Sequence, residues 1–154
     1  MITWGRADGL TTLRSEIWLG QPIERVFAFF ADAGNLEELT PPWLRFRIVT
    51  PRPIVMRQGA RLEYALRLRG VPVHWESEIT VWDPPRRFAD EQRRGPYRAW
   101  IHEHSFAPRD GGTDVGDFVR YAVPGGWLID RLVVRRDVRA IFDHRTAQLR
   151  QLFG

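Results

Sequence analysis

The chain has no cysteine among its 154 residues. That excludes disulfide scaffolds, thiolate metal sites, iron–sulfur clusters and thiol nucleophiles. Lysine is absent as well: all 23 basic residues are arginine, set against 19 acids for a formal net charge of +4. No apolar run approaches the ~20 residues that a transmembrane helix needs, and residues 1–13 lack the apolar centre of a signal peptide. The expected location is the cytoplasm. Phosphate-binding signatures are missing too. Gly111-Gly112 opens no helix, and no Walker motif, dinucleotide fingerprint or Ser-His-Asp context occurs.

What is present is ordinary globular material. A hydrophobic share of 44% and a charged share of 27% exclude disorder, collagen and coiled coil. A chain of this length buries roughly 70% of its unfolded surface. One domain spanning 1–154 needs no metal or disulfide to fold.

Alternation over 13–20 predicts a strand with Leu13, Ser15, Ile17 and Leu19 on one face. Pro22 is placed as the first residue of a helix, whose apolar stripe is Ile23, Val26, Phe27 and Phe30. Gly34 ends it, and Asn35 caps a second short helix that runs to Leu39 before Pro41-Pro42. Strands are predicted over 45–50, 61–69, 71–82, 88–93, 97–106 and 115–123, separated by short Gly- or Pro-containing breaks. Such breaks imply antiparallel neighbours, because parallel crossovers need a dozen residues or more. The remainder, to Phe153, predicts one long helix with Leu128, Leu132, Val138, Ile141, Phe142, Leu149 and Leu152 on one face. The class is α+β: a curved antiparallel sheet of about seven strands around a long C-terminal helix, with two short helices after the first strand.

Several motifs sit on these elements. They are Pro22-x3-Val26-Phe27-x2-Phe30, Thr40-Pro41-Pro42-Trp43-Leu44, Pro84-Pro85-x2-Phe88-x-Asp90-x-Gln92, Tyr97-x2-Trp100-x-His102-x-His104-x-Phe106 and Asp117-x-Val119-x-Tyr121. In motif content and element order the chain resembles, from about Ser15 to Arg145, the START-like (SRPBCC, helix-grip) superfamily. That group includes the birch-pollen allergen and bacterial polyketide cyclases/dehydrases, and the likeness is to its small bacterial ligand-binding branch. The resemblance implies a hydrophobic cavity between the concave sheet and the last helix. It would hold a lipid, isoprenoid quinone or polyketide-like molecule, with no cofactor. The superfamily shares a cavity and no universal catalytic motif, so the resemblance leaves the chemistry open.

Period-2 alternation predicts which side chains enter that cavity. Tyr64 and Leu66 point in from one strand, and Trp75, Ser77 and Ile79 from the next, with a bulge returning Trp82 to the inside. Trp100, His102 and His104 share a parity, as do Asp117, Val119 and Tyr121; Phe142 joins them from the last helix. Asp90, Gln92, His102, His104, Asp117 and Tyr121 are expected to form one contiguous polar patch. An apolar cavity with a few convergent polar groups suits a ligand with one oxygenated end.

Three readings of the patch stand, in this order: ligand contact without chemistry, a self-satisfied hydrogen-bond network, and catalysis. In the third, His102 or His104 is a general base assisted by Asp117, and Tyr121 or Tyr64 donates to an enolate oxygen. That would make the chain a polyketide cyclase/dehydrase-like enzyme. His102-x-His104 with Asp90 or Asp117 is also a weak metal motif, and no metal is expected. Trp43 is read either as a lid or as part of a rigid corner, and His74 and His144 as surface residues without partners. The arginines read as a solvated shell paired with acids such as Glu63, Asp130 and Asp137. The expected partner is a small hydrophobic ligand, with transient membrane-surface contact and no nucleic acid.

Overall fold

Two-residue turns dictate much of the sheet. Asp8-Gly9, Arg69-Gly70 and Asp110-Gly111 have positive φ at both residues, the hairpin backbone whose twist matches that of its strands. In the computed structural model, which describes residues 2–154, these turns join β1 (Ile2–Ala7) to β2 (Leu10–Leu19), β4 (Arg61–Leu68) to β5 (Val71–Asp83), and β7 (Ala99–Arg109) to β8 (Gly112–Ala122). Met1, at the start of the stretch expected to hold no signal peptide, lies outside the described residues. With β3 (Arg47–Ile48) and β6 (Arg87–Arg94), the strands form one antiparallel sheet in the order β1-β2-β8-β7-β6-β5-β4-β3.

The fold is α+β as expected, with two refinements. The sheet has eight strands, so the short helices follow the second strand. The extra one, β1, is an edge strand with mostly exposed side chains and no clean alternation. The strand expected over 45–50 shrinks to two residues, because Arg45 takes a left-handed conformation (φ 46°) closing the turn Pro42–Leu44. A register shift between Ile79 and Val81 is the expected bulge. It turns Trp82 onto Phe27 and Phe88, with ring centroids 5.4 and 5.6 Å away.

Helix α1 (Ile23–Ala31) buries Val26, Phe27 and Phe30. Pro22 is its extended N-cap and not its first residue, and the helix ends before Gly34, where the Asp32 carboxylate accepts the Gly34 N–H at 3.0 Å. Asn35 precedes α2 (Leu36–Leu39) without capping it; its amide donates to the Phe29 carbonyl at 2.8 Å.

The C-terminal helix is continuous but not uniform. It comprises α3 (Gly126–Ile129), a π-helical turn (Asp130–Val134) and α4 (Arg135–Phe153). The wide turn shifts the helical phase. Its buried face is Asp130, Val138, Phe142, Arg145, Leu149 and Phe153, while Leu128, Leu132 and Leu152, expected inside, are exposed. Three apolar clusters form the core. One lies under α1, around Phe27, Phe30, Phe88 and Phe106; one under α4, around Leu13, Val119 and Phe142; one on β4 and β5, around Leu62, Leu66 and Ile79.

Candidate functional site

The register of three adjacent strands aligns four polar side chains. Asp90 on β6 is opposite His102 on β7, and His104 is opposite Asp117 on β8. All four sit on the inner parity, so they meet under the last helix, which adds Arg145.

The contacts form one connected network. His104 Nε2 lies 2.8 Å from Asp90 Oδ2, and His102 Nε2 lies 2.7 Å from Asp117 Oδ1. Arg145 Nη2 reaches His104 Nδ1 at 3.3 Å and Asp117 Oδ1 at 3.2 Å. The two imidazoles stack at 3.8 Å, and His104 also stacks on Phe88 at 4.1 Å. The guanidinium lies over Phe30, 5.1 Å from its centroid.

Donor chemistry fixes the protonation of His104. A guanidinium only donates, so His104 Nδ1 accepts from Arg145 and its Nε2–H donates to Asp90. The ring is therefore neutral. Burial, and next the neighbouring His102 imidazole, push its pKa down to about 4, in agreement. Burial works to raise the Asp117 carboxyl, but Arg145 and the hydrogen bond from His102 more than reverse it and hold it well below the usual carboxylate range. Asp90 is likewise held low: the His104 hydrogen bond and nearby charges overcome burial. His102 thus donates Nε2–H to an ionised Asp117. Its Nδ1 has no hydrogen-bond partner among the described residues, and Arg145 Nε is buried without one.

Asp90, His102, His104 and Arg145 border a cavity of about 160 Å³, open at its mouth, between the sheet, the short helices and α4. Of the residues expected inside, Tyr64, Leu66, Trp75, Ser77, Asp90, Trp100, His102 and His104 line it. Ile79 lines an adjoining apolar lobe that shares Tyr64, Asp90 and His104 with the main cavity. Burial, and then the Asp90 charge, push the Tyr64 phenol up, so it remains an O–H donor. Trp75 Nε1 donates to Ser77 Oγ at 3.0 Å.

Five expected residues lie off both walls, and the contiguous patch is smaller than predicted. Asp117 stands behind His102, Val119 is in the core, and Phe142 packs on His102 at 5.6 Å. Gln92 closes the turn before β7 by bonding both backbone polar groups of Tyr97. Tyr121 leaves the patch altogether: its hydroxyl donates to Asp130 Oδ1 at 2.6 Å, and Thr11 donates to the other oxygen at 2.7 Å. Asp130 is therefore buried, and it keeps the expected arginine partner, Arg135, whose Nη2 lies 3.9 Å away.

Sequence reasoning missed Arg145. Its available signal was position, three residues after Phe142 and four before Leu149 on the buried stripe. His144, expected to lack a partner, packs edge-on against exposed Trp43 at 5.9 Å, and His74 lies 3.7 Å from Glu63. The ligand atoms of Asp90, His102 and His104 fall within 4.8 Å of one another, close enough for a metal ion. Both nitrogens of His104 are already engaged, however, and Arg145 supplies a positive charge to the network.

Comparison with known proteins agrees with this architecture. Residues 19–150 match the family model described as polyketide cyclase/dehydrase and lipid transport. Protein Ms6760 from Mycobacterium smegmatis shares the fold at 22% identity, with a TM-score of 0.70 over 99% of this chain and 97% of that one. Protein CV1439 from Chromobacterium violaceum gives 20% identity and a TM-score of 0.72 over 92% and 96%. Ara h 8.0201 gives 16% and 0.69 over 94% and 97%. No curated protein matches the chain by sequence.

Proposed function

The chain belongs to the polyketide cyclase/dehydrase and lipid transport family, and on that premise we propose that it binds a small apolar molecule carrying one oxygenated group. It acts as a carrier or sensor, as a single cytoplasmic domain, with a lipid, isoprenoid quinone or polyketide-like compound in the cavity. The observation that carries this reading is the buried Asp90–His104–Arg145–Asp117–His102 network in an otherwise apolar wall. A ligand hydroxyl can donate to His102 Nδ1 and accept from the spare donors of Arg145 and Tyr64, while aromatic and aliphatic side chains take the apolar body.

The test uses 1-naphthol and naphthalene in fluorescence titrations. The expected result is tighter binding of 1-naphthol, with His102→Gln weakening it about tenfold through one altered hydrogen bond. Equal affinity for the two compounds, or a His102→Gln variant that loses stability and keeps affinity, overturns the reading.

One observation favours a second, enzymatic reading: Asp117 orients His102 so that Nδ1 is left open. In that role Nδ1 takes a proton next to a ketone, as aldol cyclisation and dehydration require, and Tyr64 donates to the enolate oxygen. Turnover of a poly-β-ketone that His102→Gln abolishes while binding persists would establish it. Binding without turnover by the unaltered protein would leave the carrier.

A further inference from the structure

The first turns of the C-terminal helix carry an apolar patch that the cavity does not use. Trp127, Leu128, Ile129 and Leu132 lie within six residues and are 42–61% exposed. The π-helical turn causes this, because it directs Asp130 inward and rotates the flanking apolar side chains to the surface.

Charge accompanies the patch. Arg6, Arg131 and Arg135 converge with Trp127 around a surface hollow whose only acid, among the described residues, is Asp130. Asp130 is buried and already accepts from Tyr121 and Thr11, and Arg135 Nη2 stands 3.9 Å from it. No carboxylate pairs with Arg6, Arg131 or Arg136 among the described residues, whereas Arg69 and Arg139 nearby each have an aspartate partner. Arg135 Nε is buried and lacks a partner. Unneutralised guanidiniums beside exposed tryptophan and leucine are the composition of a helix that lies in a membrane interface.

We propose that this end of the helix docks on an anionic lipid bilayer. A headgroup phosphate enters the arginine hollow, and Trp127, Leu128, Ile129 and Leu132 lie at the acyl boundary. Long arginine side chains reach the headgroups while their stems cover apolar surface. The proposal is independent of what the cavity binds, and it stands or falls separately.

Vesicle flotation tests it, with phosphatidylcholine vesicles containing or lacking 30% phosphatidylglycerol. The protein is expected to float with the anionic vesicles and to be released as salt rises. Each arginine near the surface is worth about fivefold in affinity, so Arg131→Gln with Arg136→Gln should weaken binding about 25-fold. Leu128→Ser with Leu132→Ser should weaken it about tenfold or more. Because all four side chains are on the surface, the variants should melt with the unaltered protein. Failure to bind anionic vesicles, or equal binding by the variants, overturns the proposal. So does self-association of the unaltered protein that the leucine substitutions abolish, since the patch would then be covered by a second copy. Binding of millimolar inorganic phosphate, read as a rise in melting temperature, with no vesicle binding would assign the hollow to a free anion and overturn it as well.

Discussion

Lowering the pH from 7.5 to 5 should destabilise the protein by about 2 kcal/mol through His104 alone. In the folded chain its pKa is pushed down to about 4 by burial, reinforced by the stacked His102 ring; in the unfolded chain an imidazole titrates near ~6.5. Between those values the unfolded state binds the extra proton, so stability is full above ~6.5 and falls as pH drops through the window. The two-state linkage integral gives about 2 kcal/mol by pH 5 and about 3 kcal/mol by pH 4. Asp90 and Asp117 act in the same direction, but their contribution is lost only below the unfolded carboxylate value of ~3.9. The pH 5–7.5 interval therefore separates them from His104. Urea unfolding of the unaltered protein and of His104→Gln at pH 7.5 and 5.0 reads the difference. The variant should start less stable and lose about 2 kcal/mol less over the interval. Parallel losses in the two proteins would refute a buried, neutral His104.

Two further substitutions probe the polar groups separately. Arg145→Met should cost about 3–5 kcal/mol in urea unfolding, because it leaves the Asp117 carboxylate buried without its cation; adding Asp117→Asn should recover part of that loss. A single-variant cost below about 1 kcal/mol would show that His102 alone supports Asp117. Tyr121→Phe should cost about 1–2 kcal/mol, since Asp130 loses one of its two hydroxyl donors, and should leave 1-naphthol affinity unchanged. A weakened affinity would return Tyr121 to the cavity wall.

Much of this site is legible in the sequence for a simple reason. Alternation fixes the face of a strand, and Asp90, His102, His104 and Asp117 share the inner face of three consecutive neighbours. Parity does not fix position along a strand. Tyr121 is four residues beyond Asp117, about 13 Å at the strand rise, and that distance takes it to Asp130 at the far end of the helix. Gln92 likewise reaches its nearest unsatisfied backbone, that of Tyr97. Arg145 is hidden by its type, because a guanidinium on a helix ordinarily faces water; only the flanking Phe142 and Leu149 mark it as inward. Leu128 and Leu132 mislead because a 3.6-residue period cannot anticipate a π-helical turn. Strand β1 is missed although Asp8-Gly9 is a strong hairpin signal, because only Ile2 and Trp4 mark its inner face, and two positions are too short a run for alternation to register.

The central claim is that the cavity holds an apolar molecule by one oxygenated end. Native mass spectrometry of the protein purified from its own host tests it most directly. The account predicts a co-purifying adduct that organic extraction identifies as an apolar compound with a carbonyl, hydroxyl or carboxyl group, and lower adduct occupancy in His102→Gln. Protein that carries no adduct, or an adduct retained in full by that variant, would contradict it.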